Sequence, residues 1–148
     1  MQIQQTQTRH SPSSASVKLY CVAPELLDQV WPRIAPFIKK SVLRGTYVDY
    51  SETERRVFLG NHQLWVVADG NEFLAAGITS LEHANGYLNC RIIALGGKQM
   101  KRWFHLFPAI EQFARDEGCK VIRVMGRKGW TRLLKDYQAT RVMMEKAL

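Results

Sequence analysis

Between Leu95 and Arg102 the chain reads LGGKQMKR. Two adjacent glycines let backbone approach a ligand closely, and Lys98, Lys101 and Arg102 open the amphipathic stretch that follows. Glycines ahead of a helix N-terminus, with its unpaired N–H groups, form a cradle for phosphate. Cations in the first turns of a helix oppose the macrodipole, and a bound anion would justify placing them there. The competing interpretation is an ordinary turn ahead of a solvated basic face. Arg127 and Lys128, at a second glycine-bounded helix start, either join the same anion site or face water. Trp103 and Trp130 fall at core spacing and read as packing rather than as base-stacking platforms.

Other chemistry is thinner. His62, His83 and His105 are scattered and lack metal-ligand spacing; His83, placed in a turn beside the central strands, is the candidate base among them. No GxSxG, HExxH or P-loop occurs, and no metal site is expected. Cys21, Cys90 and Cys119 are far apart, with no CxxC or zinc spacing, and are expected to be buried free thiols in a reducing compartment.

The elements that must position these residues follow from periodicity. Val17–Val22 (VKLYCV) is a strand, and Pro24 opens a helix with Leu26, Leu27, Val30 and Trp31 on one face. Pro32 is expected to end or kink it, with Ile34, Phe37, Ile38 and Val42 in a second short helix stopped by Gly45. Ser51 and Glu54 have capping-box spacing for a third helix over Glu52–Leu59. Gln63–Ala68 and Phe73–Leu81 form a hairpin about Asp69-Gly70-Asn71, and Tyr87–Leu95 follows after a turn at 82–86. A helix is expected over Lys98–Glu117, broken near His105–Phe107 by Pro108 and capped by Gly118. Lys120–Met125 is then a strand parallel to the one before the helix, and a last helix carries Leu133 and Leu134. Ala139–Leu148 is read as a closing strand in preference to a helix. The organising unit is therefore a βαβ stretch from Tyr87 to Trp130.

With 148 residues the chain reads as one domain over 17–148, behind a flexible polar tail over 1–16 that lacks a signal-peptide h-region. No apolar run approaches the roughly 20 residues that span a bilayer, so no membrane partner and no secretion are expected. The net charge of +8 is uneven. Residues 98–148 hold 12 Lys/Arg against 5 Asp/Glu, while residues 1–97 carry a net +1. The C-terminal third therefore implies an anionic partner: a phosphorylated cofactor, nucleic acid or an acidic protein face.

Strand, paired helices, antiparallel meander, then strand–helix–strand–helix is the element order that resembles the GCN5-related N-acetyltransferase (GNAT) family, over about residues 17–145. The implied fold class is α/β (α+β): a central mixed sheet, an antiparallel meander followed by a βαβ unit, and helices on both faces. The run Gly126-Arg127-x-Gly129-Trp130 resembles in particular the small GNAT-like proteins of tailed bacteriophages. The resemblance implies acetyl-coenzyme A as cofactor, with backbone amides around Leu95, Gly96, Gly97 and Lys98 at the pyrophosphate. It places the pantetheine arm between the Tyr87 and Lys120 strands; Lys101, Arg102 and Arg127 are candidate supporting cations from their charge and position. It also implies a tyrosine on the last helix that protonates the leaving thiolate. In LLKDYQA, Leu134 stands at that tyrosine's place, and Tyr137 lies three residues on, about 300° around a helix and so near the same face. The family's loop pattern, Arg/Gln-x-x-Gly-x-Gly/Ala, is not reproduced, and its strand glutamate is replaced by Asn89 and Arg91 in YLNCRIIAL.

Two functions from different classes follow. The first is an acyl-coenzyme A-dependent N-acyltransferase acting on an amine, with Tyr137 as general acid and His83 as base. The second is a catalytically inactive GNAT-like phage protein with a structural, virion-associated or host-interaction role, its basic C-terminal third contacting DNA or phage structural proteins. The localisation would be host cytoplasm or virion. An independent DNA-binding function would draw on the charge alone, since no helix-turn-helix, zinc finger or RNP signature occurs.

Overall fold

Among the described residues six strands form one sheet in chain order: β1 (Ile3–Gln7), β2 (Val17–Val22), β3 (His62–Asp69), β4 (Glu72–Ala84), β5 (Tyr87–Gly97) and β6 (Val121–Val124). The computed structural model describes residues 3–7, 16–43, 48–126 and 128–148. Neighbouring strands are antiparallel through β5, and β5 with β6 is parallel. That is the expected mixed sheet, a meander closed by a βαβ unit. Both hairpin turns have the backbone that their sequences require, with positive φ at Gly70 and at Asn85-Gly86.

Helices cover both faces. On one side lie α1 (Leu27–Leu43), entered through a 3-10 turn at Pro24–Leu26, and α2 (Tyr50–Phe58). Their core joins Trp31, Ile34, Ile38 and Val57 to Leu64, Val66, Ile78 and Ile93 of the sheet. On the other side α3 (Pro108–Asp116) and the short α4 (Trp130–Leu133) pack over Leu19, Trp65, Val67 and Ile92.

The structure departs from the sequence expectations in several places. Pro32 and Pro36 both lie inside α1, which continues through them as a single helix. Six buried side chains on one α1 face, at about 1.5–3 kcal/mol each, outweigh the roughly 3 kcal/mol of an interior proline, and both prolines lie on the exposed side. The expected stop at Gly45 lies outside the described residues. The cap of α2 is Asp49, whose carboxylate accepts from Glu52 N at 2.9 Å, in place of the Ser51–Glu54 pairing. Ile3–Gln7, expected within a polar tail, is an edge strand on β2. A ladder is made by main-chain groups, so a segment without an apolar face can join at an edge. Residues 139–148 form neither strand nor helix and are exposed, Val142 at 87%.

The largest departure follows β5. No α-helix begins at Lys98. Gln99 takes a left-handed conformation, and two 3-10 turns, Met100–Arg102 and Phe104–Leu106, precede α3. The break near His105–Phe107 does occur, with Pro108 at the first position of α3, where its missing N–H costs nothing. Gly118, at φ +87°, closes the helix as expected.

Candidate active site

The two parallel strands part company. Pairing between β5 and β6 runs from Asn89↔Val121 to Ile92↔Val124 and stops there, although β5 continues to Gly97. At the same level β5 is bulged: Thr79 of β4 faces Ile92 while Ile78 faces Ala94, leaving Ile93 as the extra residue. Ile93 and Ala94 consequently both enter the α1-side core, where strict alternation would separate them. A bulge bends its strand and frees main chain from the ladder, and here it directs β5 away from β6.

The gap is a cleft of about 500 Å³. Its walls are β5 from Ile92 to Gly97 with Lys98 after it, the end of β6 with Met125 and Gly126, Pro36, Phe37, Lys40 and Ser41 of α1, and Met100, Trp103 and Trp130 on the opposite side. Apolar walls alternate with a strand's main-chain edge. The charged lining residues are Lys40 and Lys98, both cations and both exposed. No metal-ligating group of His, Cys, Asp or Glu occurs among the described residues.

The glycine pair lies in this cleft, but its smallness serves packing. A Cβ on Gly96 would stand 2.6 Å from Phe37 O, so glycine there lets α1 press against β5. A Cβ on Gly97 would stand 2.4 Å from Ala75 Cβ and 2.5 Å from Leu74 O, against the neighbouring strand. Two of the expected phosphate-binding amides are already engaged: Leu95 N donates to Ser41 Oγ at 3.2 Å, and Lys98 N donates to Leu74 O at 2.8 Å.

No protein-family model matches the sequence, and no curated protein matches it. Solved structures do resemble the fold. An aminoglycoside acetyltransferase from an uncultured soil metagenomic sample, in complex with sisomicin, aligns with TM-score 0.65 at 13% identity, over 90% of this chain and 97% of its own. A GNAT family acetyltransferase of Staphylococcus aureus gives 0.62 at 12% identity, over 90% and 99%. Glucosamine-6-phosphate N-acetyltransferase of Arabidopsis thaliana gives 0.59 at 14% identity, over 88% and 97%. The chain has a GNAT-like fold.

Against that GNAT frame the expected site residues divide. Leu95, Gly96, Gly97 and Lys98 come together along one wall of the cleft. Lys98 is also tied to Glu72 at 2.7 Å. Arg102 lies outside the cleft lining, held by Asp69 of the β3–β4 hairpin and by Gln99 Oε1 at 2.7 Å. Its guanidinium holds the Asp69 carboxyl below the ordinary 3.8. Lys101 is exposed and likewise outside the lining. Arg127 lies outside the described residues.

Tyr137 is placed on the α3 side of the sheet, against Phe107, and its hydroxyl donates to Glu111 Oε2 at 2.5 Å. Burial and that bond raise its pKa well above 10.0. It does not line the cleft. His83 stands on β4 rather than in a turn, exposed, and paired with Leu88. That is four residues beyond the bulge rung, or about 13 Å along a strand. His105 is exposed on a 3-10 turn, and His62 opens β3 with Nδ1 at 3.0 Å from its neighbour's carbonyl oxygen, Asn61 O. The three cysteines are free; burial pushes Cys21 up to about 11 and Cys90 up to about 12, so neither is a thiolate nucleophile.

Sequence reasoning missed the α1 contribution. Lys40 and Ser41 reach the cleft from 54 residues away in sequence, counted from Ser41 to Leu95, and no local pattern announces such a contact. The Gly126–Trp130 run also has a packing reason: a Cβ on Gly126 would meet Trp130 Cδ1 at 2.5 Å. The glycine makes room for the indole, which lines the cleft beside Phe104.

Proposed function

We propose that the protein is an acyl-coenzyme A-dependent N-acyltransferase. The observation that supports this best is the cleft opened where β5 and β6 separate at the Ile93 bulge. Walls that alternate apolar surface with strand main chain suit an extended arm of alternating methylene and amide groups. In this reading the edge of β5 from Ile93 to Leu95 and the walls of Met125, Trp103 and Trp130 hold the arm of acetyl-coenzyme A. Lys40 and Lys98 meet its phosphates. The cofactor supplies an activated acyl thioester; the protein supplies alignment. The amine nitrogen gains the acyl carbon and loses a proton as the carbon–sulfur bond breaks and the thiol leaves. Holding both reactants in one fork contributes rate by orientation.

A calorimetric titration with acetyl-coenzyme A tests the reading, using Lys40→Glu as the diagnostic variant. Lys40 is exposed, so the substitution spares the core. One charge near a phosphate in water is worth about 1 kcal/mol, and reversal doubles that, so affinity should fall about 30-fold. Absence of binding at millimolar cofactor would sink the proposal. Unchanged affinity in Lys40→Glu would remove α1 from the site.

A second reading is favoured by one observation: no carboxylate, histidine or tyrosine lines the cleft among the described residues. In it the protein is a phage-encoded member of the fold that does not turn over, with a structural, virion or host-interaction role and DNA contact through the basic C-terminal third. Cofactor binding without acyl transfer to any amine, together with presence of the chain in purified virions, would support it. Turnover with any amine would exclude it.

A further inference from the structure

The sheet face under α1 and α2 carries one rung unlike the rest. Strand register places His62, Ser80, Arg91 and Arg123 side by side across β3, β4, β5 and β6. Ile78 and Leu64, two residues away on β4 and β3, belong to the α1-side core, whereas Ile92, Ile122 and Val124 pack on the α3 side. Alternation therefore turns the four polar residues toward the α1/α2 face. The next rung outward is Glu82, Asn89 and Val121.

The charges on this patch do not balance. Arg91 and Arg123 are direct neighbours on adjacent strands, about 4.8 Å apart in backbone, an arrangement in which like charges are unfavourable. Glu82 compensates once: Oε1 lies 3.5 Å from Arg91 Nη1 and accepts from Ser80 Oγ at 3.3 Å. Arg123 makes no ion pair among the described residues. His62 is held below its ordinary 6.5, chiefly by burial, and adds no charge at neutral pH. Arg56, close enough to act on His62, is already bound to Glu52 at 2.8 Å. One guanidinium is left over. Beside it Asn89, 2% exposed, keeps a buried Oδ1 with no donor.

This patch adjoins the fork. Arg91↔Arg123 is the rung immediately before Ile92↔Val124, the last pair before the strands separate. One residue, about 3.3 Å of strand, separates the cationic pair from the closed end of the cleft. We propose that the acyl acceptor is a small primary amine that also carries a carboxylate or phosphate, with Arg91 and Arg123 gripping the anion. Guanidinium forks match such oxyanions bidentately, which leaves the amine at the other end of the molecule to reach past Ile92↔Val124 into the cleft. The assignment rests on the acyltransferase reading above.

The experiment is calorimetric titration of the full chain, without cofactor, using phosphoethanolamine, inorganic phosphate and ethanolamine. Phosphoethanolamine should bind, phosphate more weakly, and ethanolamine not at all. Arg91→Gln and Arg123→Gln should each weaken phosphoethanolamine at least tenfold while leaving acetyl-coenzyme A affinity unchanged, which also reports that the variants are folded. Failure of phosphoethanolamine to bind, equal binding by ethanolamine, or indifference to both substitutions would overturn the site. Phosphoethanolamine binding in a protein that takes no acetyl-coenzyme A would overturn the acceptor role and the acyltransferase reading together. Cofactor binding with no preference for anionic amines would overturn this assignment alone.

Discussion

Alanine at Gly97 would carry a Cβ only 2.4 Å from Ala75 Cβ, 2.5 Å from Leu74 O and 2.7 Å from Ala75 Cα. None of these atoms lies at the end of a flexible side chain, so the β4–β5 ladder itself must move. Overpacking of this kind costs about 1–3 kcal/mol. The same displacement strains the Lys98 N to Leu74 O hydrogen bond, whose loss adds about 0.5–1.5 kcal/mol. Gly97→Ala should therefore lose about 2–4 kcal/mol, a fall in Tm of about 5–15 °C for a chain of this size. Guanidinium unfolding followed by tryptophan fluorescence, with no ligand present, measures it as a lower midpoint at constant slope. Gly129→Ala is the control. Gly129 sits at φ −58°, and a Cβ added there would meet nothing within 4 Å, so its change should stay within about 0.5 kcal/mol. If Gly97→Ala unfolds at the parent's midpoint yet no longer binds acetyl-coenzyme A, the glycine serves a ligand and the packing argument is wrong.

Tyr137→Phe removes the donor to Glu111 and should cost about 1–2 kcal/mol while leaving any acyl-transfer rate unchanged; a large fall in kcat without loss of stability would restore the tyrosine as general acid. Because the folded pKa of Tyr137 lies above the ordinary 10.0, its contribution is fully present below pH 10 and drains away as pH rises beyond it. Alkaline unfolding of the parent should accordingly be steeper above pH 10 than that of Tyr137→Phe. Deleting residues 139–148, which are exposed throughout, should shift the unfolding midpoint by less than about 0.5 kcal/mol equivalent; a larger loss would mean that this segment has a docking place. With no carboxylate, histidine or tyrosine lining the cleft among the described residues, kcat/KM for an amine should climb with pH along the amine's own deprotonation, and a bell-shaped profile would reveal an enzyme group outside that lining.

Much of the fold was legible because its signals are local. Val17–Val22 alternates on a half-buried strand, Asp69-Gly70-Asn71 demands a positive-φ turn, and Pro108 marks a break in the helical stretch near His105–Phe107. The strands β2 to β6 and the parallel β5–β6 crossover follow from such signals, whereas the edge strand β1 does not. The candidate site was legible only in part. LGGK does mark the cleft, yet the reason for its glycines was hidden, because a glycine's freedom of approach looks the same whether the approaching group is a phosphate, Phe37 O or Ala75 Cβ. Arg102 read as a cleft cation because its partner, Asp69, sits on a hairpin some 30 residues earlier, and the pairing of Lys98 with Glu72 was hidden for the same reason. Tyr137 read as an acid because helical angle alone cannot say which face of the sheet its hydroxyl meets, and it meets Glu111.

These corrections share a physical cause that bears on function. The glycine-rich stretches that looked free for chemistry in the sequence are engaged in packing around the fork: Gly96 and Leu95 bind β5 to α1, Gly97 and Lys98 bind β5 to β4, and Gly126 seats Trp130 on the far wall. A sheet that parts two strands forfeits ladder hydrogen bonds along the gap and must anchor both banks elsewhere. The anchors here come from a helix, a neighbouring strand and an indole. What they maintain is a preformed slot whose closed end meets two adjacent arginines. The discriminating chemistry is then expected at that end, in Arg91 and Arg123, rather than at the glycine pair that first draws the eye.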